Sequence, residues 1–172
     1  MKASLSTYCI KDVVMKVGFI GLGNIGGKLA GSLLRNGIDL VVRDLDKDLA
    51  QNLVKGGAMW AECPRDIARE CDLIITCLPS PMASAAVMEA NDGILSGLSE
   101  GKIWAEMSTT DQSEIKRLGA KVHELGADAV DCPVSGGCHR ANTGNISIFV
   151  GCPRPVFEIV LPILKKMGRR IL

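Results

Sequence analysis

The chain has 172 residues, of which 47% are hydrophobic and 23% are charged, and its 20 Lys and Arg against 19 Asp and Glu give a net charge of +1. This length is sufficient for one domain that buries a core without metals or disulfides. The balanced charge and the 3% of aromatic residues argue against a nucleic-acid partner, and no apolar run reaches the roughly 18 residues that cross a membrane.

The seven cysteines are odd in number and form no C-x-x-C pair, and the chain has no secretory segment at its start. We therefore interpret the cysteines as reduced thiols and expect a cytoplasmic location, with the mitochondrial matrix as the alternative in a eukaryote. A zinc site at Cys132, Cys138 and His139 lacks a fourth ligand at a familiar spacing, so we expect no metal.

In chain order, residues 1–14 show no clear hydrophobic period, and we interpret them as an extension in front of a single domain, residues 15–172. From Met15 onward, short apolar runs alternate with amphipathic stretches. Strands are predicted at 16–20, 39–43, 72–78, 103–107, 127–131 and 146–150.

Helices fit between these strands. Ile25, Leu29 and Leu33 recur every four residues, as on the buried face of a helix. Pro162 is expected to interrupt or kink the last helix. The remaining helices are predicted at 66–70, 81–90, 110–125 and 156–167.

The run 73–78 is apolar on both faces, which is typical of a central parallel strand covered by helices on both sides. Strands and helices in alternation predict an α/β fold with a doubly wound, mostly parallel sheet. No internal repeat or linker divides the chain.

Residues 21–26 read GLGNIG, a G-x-G-x-x-G pattern that follows the first strand and begins a helix, and Asp44 ends the second strand about 20 residues further on. Gly21 permits a tight turn, Gly23 lets the backbone approach a pyrophosphate, and Gly26 allows close packing of helix and strand. The sequence therefore predicts a Rossmann-type dinucleotide-binding domain.

Two adjacent side chains bear on the choice of dinucleotide. Asp44 is expected to accept hydrogen bonds from the adenosine ribose and to repel a 2′-phosphate, which favours NAD. Arg43 can instead serve a 2′-phosphate, which keeps NADP as the alternative, or it is an ordinary solvated side chain.

Ligands of such sheets bind beyond the carboxyl ends of the strands, where the strand order reverses. The loops 21–26, 77–81 and 107–109 are expected to meet there. Ser108 or Thr109 faces the nicotinamide side or caps the next helix. We interpret Cys77 as a buried thiol and not a nucleophile, because no histidine accompanies it in a familiar motif.

Residues 131–137 read DCPVSGG. A Ser-Gly-Gly turn is an ordinary turn or a nest of backbone amides suited to a carboxylate. Four motifs in this order, at 17–23, 77–79, 107–109 and 131–137, make the chain resemble the β-hydroxyacid dehydrogenase family, which includes 3-hydroxyisobutyrate dehydrogenase and tartronate semialdehyde reductase. The resemblance runs from Met15 to Leu172.

The fingerprint and the resemblance together give the candidate site. The candidate cofactor-binding residues are Gly21, Leu22, Gly23, Asn24, Ile25, Gly26, Arg43, Asp44, Leu78, Pro79 and Thr109. The resemblance implies that Ser135, Gly136 and Gly137 hold the carboxylate of a small 3-hydroxy acid, and that hydride passes reversibly between its C3 and the nicotinamide.

The chain departs from the family pattern at Ile25 and Leu29, where Met is usual, and at Arg140, where Gly is usual. In the family, the catalytic Lys and an Asn four residues later lie in a segment that would follow Leu172. We therefore expect the chain to be the cofactor-binding domain alone, without the all-helical second domain and with little or no turnover.

The resulting hypothesis is the NAD-binding domain of a 3-hydroxyacid dehydrogenase that is a homo-oligomer at full length. Two alternatives stay open. One is a non-catalytic nucleotide-binding or oligomerisation module, and the other is a related dehydrogenase or imine reductase, against which the Ser-Gly-Gly motif argues.

Overall fold

A computed structural model describes residues 15–172, so the predicted extension 1–14 lies outside the described residues. Six strands form one parallel sheet in the order β3–β2–β1–β4–β5–β6. These strands are β1 (Val17–Ile20), β2 (Leu40–Arg43), β3 (Met59–Trp60), β4 (Leu73–Thr76), β5 (Ile103–Glu106) and β6 (Asp128–Asp131). The order reverses between β1 and β4, which is the point where a doubly wound sheet opens a crevice.

Helices connect the strands, and short 3₁₀ turns at Lys47–Ala50 and Ile94–Ser96 precede α2 and follow α4. The helices are α1 (Gly26–Arg35), α2 (Gln51–Lys55), α3 (Pro64–Glu70), α4 (Pro81–Glu89), α5 (Gln112–Glu124), α6 (Gly137–Asn142) and α7 (Arg154–Leu164).

The side chains of each strand alternate between two hydrophobic cores, one on each face of the sheet. Phe19 and Ile75 pack with Leu29 of α1 in the first core. Ile74 and Trp104 belong to the second core, which α3, α4 and α5 cover. Every residue of β4 is buried, so the predicted central strand and the doubly wound α/β class are confirmed.

A second sheet of three strands was not predicted as a separate unit. It consists of β7 (Val134–Ser135), β8 (Ile146–Ile148) and β9 (Gly168–Ile171), in the order β7–β8–β9. The strand predicted at 146–150 therefore exists in part but lies outside the main sheet. β9 was missed because the exposed Arg169 and Arg170 at its centre break the apolar pattern of a buried strand.

Helix α7 passes through Pro162 without interruption, so that part of the prediction was wrong. Pro162 is exposed and lies near the end of the helix. Its missing N–H frees the carbonyl of Glu158 one turn earlier, and water can satisfy that carbonyl at an exposed position.

Side chains in the last two turns of α1 form hydrogen bonds to two segments that precede strands of the second sheet. The Ser32 hydroxyl donates a hydrogen bond to the Lys166 carbonyl at 2.7 Å. The Arg35 guanidinium donates to the carbonyl of Asn142, at the end of α6, at 2.6 Å. α1 therefore links the main sheet to α6 and to the residues just before β9.

Three chemical findings apply to residues 15–172. The six cysteines in this range are free thiols. No group of three or more His, Cys, Asp or Glu side chains within it is arranged to hold a metal ion. None of its helices combines the length and the apolar character needed to cross a membrane.

Candidate functional site

In the turn between β1 and α1, two of the three motif glycines are required by the fold. Gly21 has a φ of 95°, and a Cβ atom there would lie 2.2 Å from the Cys77 carbonyl oxygen. A Cβ atom on Gly26 would lie 1.9 Å from the Gly21 carbonyl oxygen. Both glycines are therefore needed for the turn and its packing.

Gly23 differs from these two glycines. A Cβ atom on Gly23 would meet no protein atom within 4 Å, and its φ lies outside the left-handed region. The fold around residues 21–26 would accept a side chain there. The space beside Gly23 opens into a crevice, as expected if a ligand approaches the backbone at this position.

Asp44, directly after β2, accepts one backbone hydrogen bond from the glycine turn and one from its own loop. Its Oδ2 accepts from the Leu22 N–H at 2.6 Å, and its Oδ1 accepts from the Asp46 N–H at 2.9 Å. The carboxylate is half-buried, and each oxygen keeps a second lone pair for a ligand hydroxyl. Asp44 therefore shapes the turn and presents a negative charge beside it.

Arg43 is fixed in place, contrary to the alternative of a freely solvated side chain. Its guanidinium carbon lies 5.3 Å from the centre of the Trp60 ring, within cation–π range, and its Nη1 donates to the Asp44 carbonyl. Lys47 also lies over the Trp60 ring, at 5.1 Å. Two cations and one carboxylate thus stand at the end of β2.

The crevice at the reversal of strand order has a volume of about 820 Å³. It is bounded by the glycine turn and by the loops after β2, β4 and β5. All the candidate cofactor-binding residues line it except Leu22, which is buried and contributes its N–H to Asp44. The structure therefore brings together residues that the chain separates by up to about 90 positions.

Much of the crevice lining is apolar and was not predicted. Leu45, directly after Asp44, is 96% exposed and lines the crevice. Another wall of the crevice comes from α4, a helix that was predicted at 81–90 but without an apolar face that marked it as part of the site. Cys77, Met107 and Ser108 line the crevice as expected of the loops 77–81 and 107–109. The lining residues that were not predicted are Ile20, Leu45, Leu49, Pro64, Ala83, Ala86, Val87, Ala90, Asp92 and Val134.

Ser108 joins the loops after β4 and β5 instead of capping a helix. Its hydroxyl accepts a hydrogen bond from the Leu78 N–H at 2.7 Å. The N-cap of α5 is Asp111, whose carboxylate accepts from the Ser113 N–H at 2.8 Å. The prediction that Ser108 or Thr109 caps this helix was therefore wrong, because the helix begins three residues after Thr109.

Cys77 follows β4 and lines the crevice. Burial, with a smaller contribution from the nearby Glu106 carboxyl, raises the pKa of its thiol to about 12. The thiol is therefore neutral at physiological pH, and a neutral thiol is a poor nucleophile. This supports the interpretation of Cys77 as a structural residue.

The Ser-Gly-Gly segment lies beside the crevice and not in its lining. Val134 lines the crevice, and the next three residues, 135–137, are exposed. Gly136 and Gly137 have φ angles of 136° and 75°, and α6 begins at Gly137, so His139 and Arg140 lie on a helix and not in a loop.

Arg140 reaches back over this segment. A Cβ atom on Gly136 would lie 2.8 Å from the Arg140 Cδ atom. The departure from the usual glycine at position 140 thus adds a cation close to the predicted carboxylate site. This charge favours an acidic ligand at residues 135–137.

Comparison with known proteins places these features in context. A family model described as the NAD binding domain of 6-phosphogluconate dehydrogenase matches residues 16–172. The chain is 37% identical over 171 residues to the mitochondrial 3-hydroxyisobutyrate dehydrogenase of Rattus norvegicus, covering 98% of the chain and 51% of that relative. It is 35% identical over 157 residues to 2-(hydroxymethyl)glutarate dehydrogenase of Eubacterium barkeri, covering 91% and 52% of the two chains.

Among solved structures, Psf3 in complex with NADP+ and 2-OPP is 29% identical and superimposes with a TM-score of 0.86, over 90% of this chain and 55% of that one. The chain therefore spans about half the length of the relatives that it matches.

Proposed function

The chain belongs to the family described as the NAD binding domain of 6-phosphogluconate dehydrogenase, and on this premise we propose that it is the dinucleotide-binding half of a 3-hydroxyacid dehydrogenase. The resemblance predicted from the four motifs is confirmed by relatives named as dehydrogenases of 3-hydroxyisobutyrate and 2-(hydroxymethyl)glutarate. The observation that supports the proposal best is Gly23, which faces open space in a turn whose other two motif glycines are required by packing.

The residues of the crevice fit a dinucleotide. The N-terminus of α1, at Gly26, directs the positive end of the helix dipole toward the place where a pyrophosphate would lie. The backbone at Gly23 leaves room for the phosphate oxygens. Apolar side chains such as Leu45 and Val87 also line the crevice, and they would offer an adenine ring apolar contacts.

We propose NAD as the preferred dinucleotide, with NADP as the alternative. A 2′-phosphate would stand beside the Asp44 carboxylate, which already carries a negative charge at the end of β2. Arg43 and Lys47 are the groups that would offset this repulsion, but both lie over the Trp60 ring. Their cation–π contacts favour positions on the ring over positions toward the ribose.

The substrate proposed for the full-length protein is a small 3-hydroxy acid. Residues 135–137 and Arg140 would hold its carboxylate beside the nicotinamide end of the crevice. The bound dinucleotide supplies hydride transfer, and the reaction also needs a group that moves the hydroxyl proton.

Within residues 15–172, the lining of the crevice contains no lysine or histidine. We therefore propose that the proton-transfer residue belongs to the part of the relatives that this chain does not span, and that the chain alone turns over little. The predicted cytoplasmic or matrix location and the homo-oligomeric state stay predictions.

Calorimetric titration with NADH and NADPH tests the proposal. The unaltered chain is expected to bind NADH, and Gly23→Ala is expected to weaken binding by at least about tenfold, because its methyl group would occupy the phosphate position. Gly119→Ala in α5 is the matched control, since its Cβ would make only an ordinary 3.6 Å contact with Ala129.

Equal NADH affinity for the Gly23→Ala chain, or no binding of either dinucleotide to the unaltered chain, would contradict the proposal. Turnover is tested separately with 3-hydroxyisobutyrate and NAD. Rapid turnover by the 172-residue chain would show that the proton-transfer residue lies within it.

A further inference from the structure

A buried carboxyl group lies behind the crevice, at the end of β5. Glu106 is 0% exposed, and its Oε1 accepts hydrogen bonds from the Ser108 N–H at 2.8 Å and from the Ser108 hydroxyl. Ser108 in turn accepts from the Leu78 N–H. A continuous path of hydrogen bonds therefore runs from the core to the loops after β4 and β5.

Within residues 15–172, the second carboxyl oxygen of Glu106 lacks the hydrogen-bond partners that would offset the cost of burying it. Its Oε2 and the nearby Ser84 hydroxyl are both buried, and neither has a well-formed hydrogen bond within the described residues. The Thr76 hydroxyl accepts from the Trp104 indole at 2.9 Å. Burying a polar group costs free energy that incomplete pairing does not recover, so stability of the core is a poor reason for an acid here.

The path instead leads to two residues at the crevice. Leu78 and Ser108 both line it, one from each loop. The N–H of Leu78 has its partner in the neighbouring loop, and the orientation of the Ser108 hydroxyl is set by Glu106. Loops are usually more mobile than the strands that they connect. This path of hydrogen bonds links both loops to the buried strand β5.

We propose that Glu106 is a positioning residue, which acts through Ser108 and Leu78 to hold the two loops that contact the nicotinamide half of the dinucleotide. The topology identifies that half. Asp44 follows β2, on one side of the reversal in strand order, whereas β4 and β5 lie on the other side. If Asp44 binds the adenosine ribose, the nicotinamide lies over β4 and β5. The inference thus rests on the proposed dinucleotide binding.

Two probes separate the halves of the ligand: NADH and ADP-ribose, which lacks the nicotinamide ring. In calorimetric titrations of the 172-residue chain, Glu106→Ala is expected to weaken NADH binding by about tenfold and ADP-ribose binding by less than about twofold, since only the NADH complex uses the two loops fully. Glu106→Gln keeps an acceptor oxygen at the Oε1 position and is expected to restore most of the NADH affinity.

Two serine variants cover the case in which Glu106→Ala does not fold. Ser108→Ala removes the link between the loops and is expected to reproduce the selective loss of NADH affinity. Ser96→Ala, the matched control, removes a hydroxyl whose hydrogen bond to the Gly93 carbonyl lies outside both loops and does not involve Glu106, and the ratio of the two affinities should stay unchanged.

The outcomes separate this inference from the proposed function. If the unaltered chain binds neither probe, both are overturned. If it binds both and the Glu106 and Ser108 variants lose NADH and ADP-ribose affinity equally, or lose neither, the positioning role is overturned while dinucleotide binding stands.

Discussion

The crevice beyond the six-stranded sheet is fixed by side chains, whereas the neighbouring segment 135–137 is held by backbone pairing between β7 and β8. In the crevice, Asp44 holds the glycine turn and Ser108 joins two loops. At 135–137, the residues are exposed and two consecutive glycines have positive φ. Several loops of one sheet enclose the first region, whereas residues 135–137 form an exposed segment on the surface.

This difference indicates how the two halves of the proposed reaction are divided. A dinucleotide finds its turn, its acidic residue and its apolar lining within this chain. The proposed small acid would meet backbone amides and Arg140 here, and the described residues offer it few other contacts. Selectivity for the dinucleotide is therefore expected to be measurable on this chain, and selectivity for the acid is not.

The largest expected effect follows from Gly26→Ala, which tests whether the crevice depends on the packing of its turn. The added Cβ would lie 1.9 Å from the Gly21 carbonyl oxygen, a backbone atom that cannot move aside easily. We expect a loss of roughly 2–3 kcal/mol in the free energy of unfolding, as for an overpacked core. Urea denaturation measures it, and a loss below about 0.5 kcal/mol, within the range of neutral surface changes, would contradict the packing argument.

Glu106, behind the crevice, is expected to make the stability of the folded chain depend on pH. Desolvation raises the pKa of Glu106 in the folded chain above its ordinary value of 4.5, and the hydrogen bonds from Ser108 oppose this rise without cancelling it. The thiols of Cys77 and Cys132, which lie near it, are neutral because burial raises their pKa values too.

Above pH 4.5 the unfolded chain releases the Glu106 proton while the folded chain retains it, so stability should fall as pH rises through this window. The slope from this group is at most about 1.4 kcal/mol per pH unit. Glu106→Gln should remove it, which urea denaturation between pH 4 and pH 7 can measure. Parallel pH profiles for the two chains would be inconsistent with a raised pKa.

Asp44→Asn tests whether the crevice selects between NADH and NADPH through the charge of Asp44. The amide keeps one oxygen for the glycine turn but loses the negative charge that opposes a 2′-phosphate. We expect the affinity for NADPH relative to NADH to rise by about tenfold, or about 1.4 kcal/mol. Titration with both dinucleotides measures the ratio. An unchanged ratio would mean that Asp44 serves the turn alone.

The smallest effect is expected at the second region. Gly137→Ala introduces a Cβ at a φ of 75° with no protein atom within 4 Å, so the cost is conformational and amounts to about 1 kcal/mol. NADH affinity should be unchanged, because residue 137 does not line the crevice. A parallel loss of NADH affinity would show that the two regions are coupled.

The sequence was most informative where a local pattern determines local geometry. The unit from β1 to β2 follows from the spacing of Gly21, Gly26 and Asp44, since each has a conformational or packing reason that operates within the unit. β3 was not predicted, because this strand consists of only two residues, Met59 and Trp60, and is too short to show a hydrophobic period.

The links across the crevice could not be predicted because they depend on distances between loops. A serine between a strand and a helix, such as Ser108, can equally well be a helix N-cap. Its role became clear only from the position of the Leu78 N–H, which donates a hydrogen bond to its hydroxyl. One signal was available: Glu106 is an acidic residue in the otherwise apolar strand Ile103–Glu106. A charge at such a position indicates a specific partner in the fold.

The contacts of α1 with the second sheet bear on how the proposed ligands meet. The first turn of this ten-residue helix faces the predicted pyrophosphate, and its far end holds Asn142 and Lys166. An α-helix rises 1.5 Å per residue, so α1 spans about 15 Å between the turn proposed to bind the pyrophosphate and the end of α6, the helix that begins at Gly137. If both proposed ligands bind, a change in the length of α1 should therefore disturb both sites together.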